Sequence, residues 1–354
     1  MKRLTLCIVF VFATLVPCVR SAYAQITIVP GPDADAFAAG LGMSTDQLVQ
    51  QLTTQVNGLF QTANVNGFLK DFQNAQSFSS KGLGVDYASE ATLVEAGATL
   101  SFASNVDKAY KPSGSYTDPP ISGGGANFSL MGGVGLGLIG LDPLMVFGNW
   151  FKGSASLGQL DGSYKNWGLH GQLRLLGPSR KMSAVGMLVR WGGIAITSGA
   201  DYSHLSLSAK KPITSTMSVV PGAPVTVTST GDLTFSVDQT TWSVPLEVTT
   251  SLRLLSMVTV YGGFGLDWQL GGGSSLNIGM NANLAGKYNG ATYNNLGTAT
   301  ISATGKVDPS PARLREIVGV QLGILDTIRL FLQVNVTGGA PMLTSVAGGL
   351  RLAI

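Results

Sequence analysis

The sequence predicts an all-β fold: a transmembrane antiparallel up-and-down β-barrel of about 12–14 strands, preceded by a short helical segment. Three observations lead there. Between Trp242 and Ala285, apolar and polar residues alternate with a period of two over stretches of about twelve residues, long enough to cross a bilayer at a tilt. Charged residues make up only 12% of the 354 residues while glycine reaches 47, a composition suited to a surface that faces lipid on one side. Beyond residue 24, no segment holds 18 uninterrupted apolar residues. Membrane-spanning helices are therefore not expected, and a closed barrel is the remaining way to span.

The opening residues read as a targeting segment. Met1-Lys2-Arg3 is positively charged, Leu4 to Val19 is apolar, and Ala22-Tyr23-Ala24 supplies small residues for cleavage before Gln25. Leu15-Val16-Pro17-Cys18 ends like a lipoprotein signal, but Pro17 stands where a small residue is wanted. Cleavage after residue 24 would remove Cys7 and Cys18, leaving no thiol for a disulfide or a cysteine metal site. It would also remove Lys2, Arg3 and Arg20 from 22 basic residues and none of 19 acidic ones, so the two signs become equal. That balance offers no footprint for nucleic acid. The expected organisation is residues 1–24 as signal peptide, 25–80 as a helical segment under the barrel mouth or plugging the lumen, and 81–354 as the barrel. The expected address is the outer membrane of a Gram-negative bacterium.

From Asp33 to Ala75 the apolar period becomes helical. Ser44-Thr45-Asp46-Gln47 forms a capping box, and Leu48, Leu52, Val56 and Leu59 follow on one helical face. Phe68, Leu69 and Phe72 give a second amphipathic piece. Because these helices precede the barrel, they are expected to start on the periplasmic side.

Strands are expected at Ala91–Ala103, Gly133–Leu138, Leu144–Leu157, around Trp167–Leu175, at Val185–Thr197 and at Tyr202–Ala209. A proline-rich loop is expected at Lys108–Gly125. Residues 210–241 carry Pro212, Pro221 and Pro224 and read as a surface loop containing a hairpin near Val225–Val237, a place for an extracellular partner. Three further strands are read from Trp242–Leu254, Val258–Leu270 and Leu276–Leu284, with Gly271–Gly273 as the break between the last two. Val318 to Ile324, Leu330 to Val336 and Val346 to Ile354 complete the row. The final strand resembles the terminal signal of bacterial outer-membrane barrels, although Ile354 replaces the usual aromatic residue.

Candidate site residues follow from the two faces. Trp242 and Trp268 lie on the apolar face, thirteen residues either side of Leu255, and are assigned to an interfacial aromatic girdle. His170, Arg174, Arg190, Glu247, Arg253, Asp267, Arg315, Arg329 and Arg351 fall on polar faces and are assigned to the lumen. An arginine cluster there can bind an anion, or form a structural network with Glu247 and Asp267. No catalytic residues are expected: G-x-S-x-G, H-E-x-x-H and Walker patterns are missing. An enzymatic role would need a buried acid partner for His170 or His204. Asp33 and Asp35 are too isolated for calcium, and no metal or cofactor is expected.

Phe78-Ser79-Ser80-Lys81-Gly82-Leu83-Gly84-Val85-Asp86-Tyr87-Ala88-Ser89-Glu90-Ala91 resembles the start of the N-terminal hatch in FadL-type long-chain fatty-acid channels. The resemblance implies a fourteen-stranded barrel that passes hydrophobic compounds by an N-terminal hatch. It spans about fourteen residues, and the Asn-Pro-Ala motif that follows in the family is missing. Two functions are thus expected: passive passage or binding of a small or hydrophobic solute, or a non-transporting surface barrel acting as an adhesin or structural protein. The partners expected are membrane lipid and such a solute.

Overall fold

The computed structural model describes residues 20–61, 65–88, 93–106, 124–178, 189–219, 225–255, 257–324, 327–338 and 342–354. Among these residues twelve strands form one antiparallel sheet that closes into a ring. After β1 (Arg20–Pro30) come α1 (Ala34–Gly40), α2 (Thr45–Gln61) and α3 (Val65–Ser79). The strands β2 (Val94–Asn105), β3 (Gly124–Gly135), β4 (Leu144–Leu157), β5 (Leu160–Leu176), β6 (Val189–Ser218), β7 (Val225–Leu254) and β8 (Val258–Tyr288) then pair in chain order. β9 (Ala291–Val307) and β10 (Ala312–Ile324) share one edge of β8: Ser274–Tyr288 pair with β9 and Val258–Trp268 with β10. They act as one long strand interrupted at residues 308–311. β11 (Ile328–Thr337) and β12 (Leu343–Ala353) follow, and β12 pairs with β2 from Leu343↔Asn105 to Ala353↔Glu95, closing the ring. The ring therefore has ten strand positions, and β1 lies along the free edge of β9.

Two ends are distinct. The lower end holds the chain terminus, with Ile354 N–H donating to Val94 at 2.9 Å, and the turn at Leu255. At the upper end β6, β7, β8 and β9 extend well above the ring, and the β8–β9 hairpin turns on Asn289-Gly290, both at positive φ (48° and 84°), as a two-residue hairpin requires.

The outer face of the ring is largely apolar, with Glu316 on β10 an exposed exception between Leu314 and Val318. Leu100, Leu130, Leu169, Val248, Phe264, Val318, Leu332 and Leu350 all point outward and are exposed, an apolar surface far larger than a water-soluble monomer carries. Its upper limit is marked by Trp150, Trp167, Tyr202 and Trp242, which the register places side by side across β4 to β7. Trp167 and Tyr202 stack at 5.9 Å, and Trp242 meets them at 5.2 and 4.8 Å. From this belt to the turn at Leu255, a tilted strand rises roughly 30 Å, the thickness of a bilayer core.

Above the belt the alternation inverts. On β9, Ala299, Ile301, Ala303 and Val307 face inward and are buried, while Thr298, Thr300, Ser302 and Thr304 are exposed. β8 changes phase through a bulge: Trp242 pairs with Gly271 but Ser243 with Gln269, leaving Leu270 extra. Gly272 sits beside it at φ 110°, where a Cβ would meet the Thr240 carbonyl. Gly271–Gly273 is thus not a turn, and the two strands read on either side of it are one strand of 31 residues. The apolar inner face of this extension packs on the helices: Phe37, Leu48 and Leu52 with Val225, Val227, Leu284 and Leu296 form its core.

Residues 210–241 also differ from expectation, since β6 continues to Ser218 and β7 begins at Val225. β-Branched Thr and Val extend the hairpin, and Pro212 is tolerated because β5 pairs with β6 only as far as Ala209, so β6 is an edge beyond it. The capping box forms as read, with Ser44 N–H donating to Gln47 Oε1 at 2.9 Å and Gln47 N–H to Ser44 Oγ at 3.3 Å. Residues 1–19, most of Lys108–Gly125 and residues 89–91 lie outside the described residues. Arg20–Ala24, ahead of the expected cleavage point, belong here to the start of β1.

Candidate functional site

The lumen is the site, and the chain's own N-terminal segment fills it. α1 and α2 sit at the upper end, α3 enters the mouth, and residues 80–88 run down through the ring before β2 begins at the bottom. Gln73 meets Thr241 at 3.4 Å and forms a further hydrogen bond with Ser274. Gln76 bonds the backbone of Ala126 in both directions at 3.1 Å, capping β3 where β4 has not yet paired with it. Asn74 binds Arg313, and Gln269 donates to Ser77 at 2.8 Å.

Below this, charge fixes the depth of the segment. At mid-height the wall supplies three carboxylates, Asp201, Glu247 and Asp267, against Arg315. Arg315 bridges Glu247 and Asp267 (3.0 Å to the latter) and donates to Asn335 at 2.8 Å. Lys81 of the plug enters beside the remaining carboxylate, 3.8 Å from Asp201, and bonds Ser243. Near the bottom the excess is basic. Arg329 and Arg351 are direct cross-strand partners, an arrangement that is destabilising for like charges left alone. Asp86 of the plug lies between them, 2.9 Å from Arg351 and 3.3 Å from Arg329. Arg351 also donates to the Val85 carbonyl at 2.7 Å and lies 3.9 Å over the Phe331 ring. Asp86 further accepts the Ala88 amide at 2.9 Å, and Gln172 binds its carbonyl at 3.1 Å. Gly84, at φ 83°, passes so close to the wall that a Cβ would lie 2.8 Å from that of Asn149.

The residues expected in the lumen are placed as follows. Glu247, Asp267, Arg315, Arg329, Arg351 and His170 are buried inside the ring, all of them in or beside these two clusters. Arg174, Arg190 and Arg253 are half-buried toward the lower end, with Arg190 opposite Arg253 on β6 and β7. His170 has the buried acid partner that an enzymatic reading required: its Nε2 is 3.0 Å from Asp201. Yet His170, Asp201 and Ser243 are buried against Lys81 of the plug. They are part of the charge network. His204 is outside the lumen, above the belt, 3.7 Å from Asp238.

Trp242 is exposed in the belt, while Trp268 is half-buried and pairs with Val244 rather than Trp242. The Leu254↔Val258 pairing is two residues out of the register expected around Leu255, and the bulge adds a further offset. Sequence reasoning missed Lys81, Asp86 and Asp201 as site residues, and Trp150, Trp167 and Tyr202 as belt residues. The signal for the first two was present: single charges in an otherwise neutral run that opens the barrel.

A largely apolar exterior, a closed antiparallel ring and a polar lumen occupied by the N-terminal segment define a plugged transmembrane β-barrel. The chain belongs to the Lsa36-like family, whose model matches residues 21–354. No curated protein sequence matches it. Among solved structures it is similar to bacterial outer-membrane barrels, FadL-type channels included. One is the translocator domain of the autotransporter NalP from Neisseria meningitidis, at 12% identity over 79% of this chain and 93% of that one (TM-score 0.32). Another is a FadL homologue from Pseudomonas aeruginosa, at 9% identity over 82% and 97% (TM-score 0.26). A third is the transport unit of the autotransporter AIDA-I from Escherichia coli, at 9% identity over 81% and 98% (TM-score 0.24).

Proposed function

We propose that this protein is a non-transporting outer-membrane barrel that threads its own N-terminal segment through the lumen and displays a small helix-and-sheet unit at the cell surface. One observation carries this reading: Lys81 and Asp86 each enter where the wall has the opposite excess charge, so the segment runs from the upper end to the lower. In barrels of this kind short turns face the periplasm and long extensions face outward. By that rule the end holding α1 and α2 is external, opposite to the periplasmic start expected from their position before the barrel. Passive passage of a solute stands second, because the lumenal groups Asp201, Ser243, Gln172, Arg329 and Arg351 are engaged by the plug.

The sequence has no cysteine after Cys18, which makes the test direct. Gln51→Cys, on the exposed side of α2, is expected to react with a membrane-impermeant maleimide on intact cells. Met257→Cys, in the lower turn, is expected to react only after permeabilisation. The purified full chain is expected to give no steady conductance in planar bilayers. Labelling of Met257→Cys but not Gln51→Cys on intact cells would overturn the orientation, and a steady ohmic pore would overturn the plug.

A further inference from the structure

One step above the aromatic belt, on the outer face, the register brings Lys152, Lys165 and His204 side by side on β4, β5 and β6. Lys152 and Lys165 are direct cross-strand partners and both are exposed. Like charges so placed repel, and among the described residues neither makes an ion pair with a carboxylate. Lys165 lies over the Tyr202 ring at 5.8 Å. His204 has its own neighbours, Asp238 at 3.7 Å and Thr240 Oγ1 at 3.1 Å.

Above the cations, Ser154, Ser163 and Ser206, then Ser156, Asp161 and Ser208, line an open groove of about 330 Å³. Asp161 accepts from Ser156 at 2.5 Å and is the acidic member of this lining. The outer surface of these three strands thus reads upward as apolar chain, aromatic ring, cation and hydroxyl.

We propose that this surface binds the headgroup of a phosphorylated glycolipid. Acyl chains would lie along Leu169 and Leu246 below the belt. The two ammonium groups, two residues or roughly 5 Å above the belt, stand at headgroup height and donate to phosphate. The serine hydroxyls donate to and accept from sugar hydroxyls. Phosphate between Lys152 and Lys165 removes the repulsion that their pairing creates. That the lipid belongs to the outer leaflet rests on the orientation proposed above; the chemistry of the site does not.

The test uses the full chain folded in non-ionic detergent micelles and native mass spectrometry with bisphosphorylated lipid A, dephosphorylated lipid A or phosphatidylglycerol. Each surface lysine contributes roughly fivefold to retention of an anionic headgroup, so bisphosphorylated lipid A is expected to be retained roughly 30-fold better than the dephosphorylated form. K152Q/K165Q is expected to lose that preference while keeping wild-type heat-modifiable mobility, which reports folding. S154A/S206A is expected to weaken lipid A and leave phosphatidylglycerol unchanged. Equal retention of the dephosphorylated form, or an unchanged preference in K152Q/K165Q, would overturn the phosphate site. Equal retention of phosphatidylglycerol would overturn the glycolipid, and displacement by millimolar inorganic phosphate would reduce the site to one for free phosphate. Micelle binding is independent of orientation, so a failed labelling experiment with the preference intact would condemn the orientation alone.

Discussion

Removing the Asp86 carboxylate should unlatch the plug. Asp86 is buried, accepts from Arg351 at 2.9 Å, Arg329 at 3.3 Å and the Ala88 amide at 2.9 Å, and stands between two arginines that face each other across β11 and β12. In Asp86→Ala both guanidinium groups stay buried with Glu95 as the carboxylate left near them. Taking one partner from a buried ion pair costs about 3–5 kcal/mol, and a tenfold change corresponds to about 1.4 kcal/mol. The undocked plug should therefore become roughly two to three and a half orders of magnitude more populated. Single-channel recording is the assay: rare openings in the wild type should become frequent in Asp86→Ala. Asp86→Asn, which keeps the shape and the amide contact, should reproduce most of the effect and so assign it to charge. Asp86→Ala combined with Arg351→Met should cost less than the sum of the two single changes, because the second removes the unpaired charge. If Asp86→Ala and Asp86→Asn both leave conductance and urea midpoint at wild-type values, the latch is not what holds the segment down.

Other consequences are independent of that latch. Arg315→Met strands Glu247 and Asp267 in the lumen and should destabilise the folded barrel by about 3–5 kcal/mol in urea titration, with Glu247→Gln and Asp267→Asn added together restoring most of it. Gly84→Ala forces a positive-φ position and a contact with Asn149, so a loss of about 1–3 kcal/mol is expected in the same titration. Val318→Arg puts a charge at mid-height on the lipid face and should cost about 2–4 kcal/mol, whereas Thr300→Arg, outward on β9 above the belt, should stay within about 0.5 kcal/mol. Equal costs for those two would refute the placement of the membrane boundary.

The ring was legible because lipid imposes a rule on every strand: Val248, Phe264, Val318 and Leu350 must face out, so the period of two shows without any knowledge of neighbours. The lumenal positions of Glu247, Asp267, Arg315, Arg329 and Arg351 follow from the same parity. What parity cannot reveal is depth or partnership. Asp86 meets Arg351 across a separation of 265 residues, and nothing local in either strand or plug records that distance. Residues 210–241 read as a loop holding a short hairpin, rather than as the ends of two long strands, because Pro212 looks like a loop residue until the missing β5 neighbour is known.

The phase inversion at the belt is the more general lesson, because it is readable yet easy to miss. Val258 to Leu270 and Leu276 to Leu284 both alternate, and both put apolar residues on even positions. A continuous strand without a bulge would therefore carry one apolar row from lipid into water. The extra residue at Leu270 rotates the upper row inward, Leu276 onto Leu69 and Leu284 onto Phe37, Leu48 and Leu52, and turns Asn277, Asn281 and Asn283 to the solvent. On β7 the same exchange needs no bulge, since its apolar positions themselves move from even below Trp242 to odd above it. Two neighbouring strands thus change solvent at one height by different means, one in backbone register and the other in sequence. That height coincides with the aromatic belt, so the membrane boundary is written three times: in ring chemistry, in strand parity and in the position of Gly272.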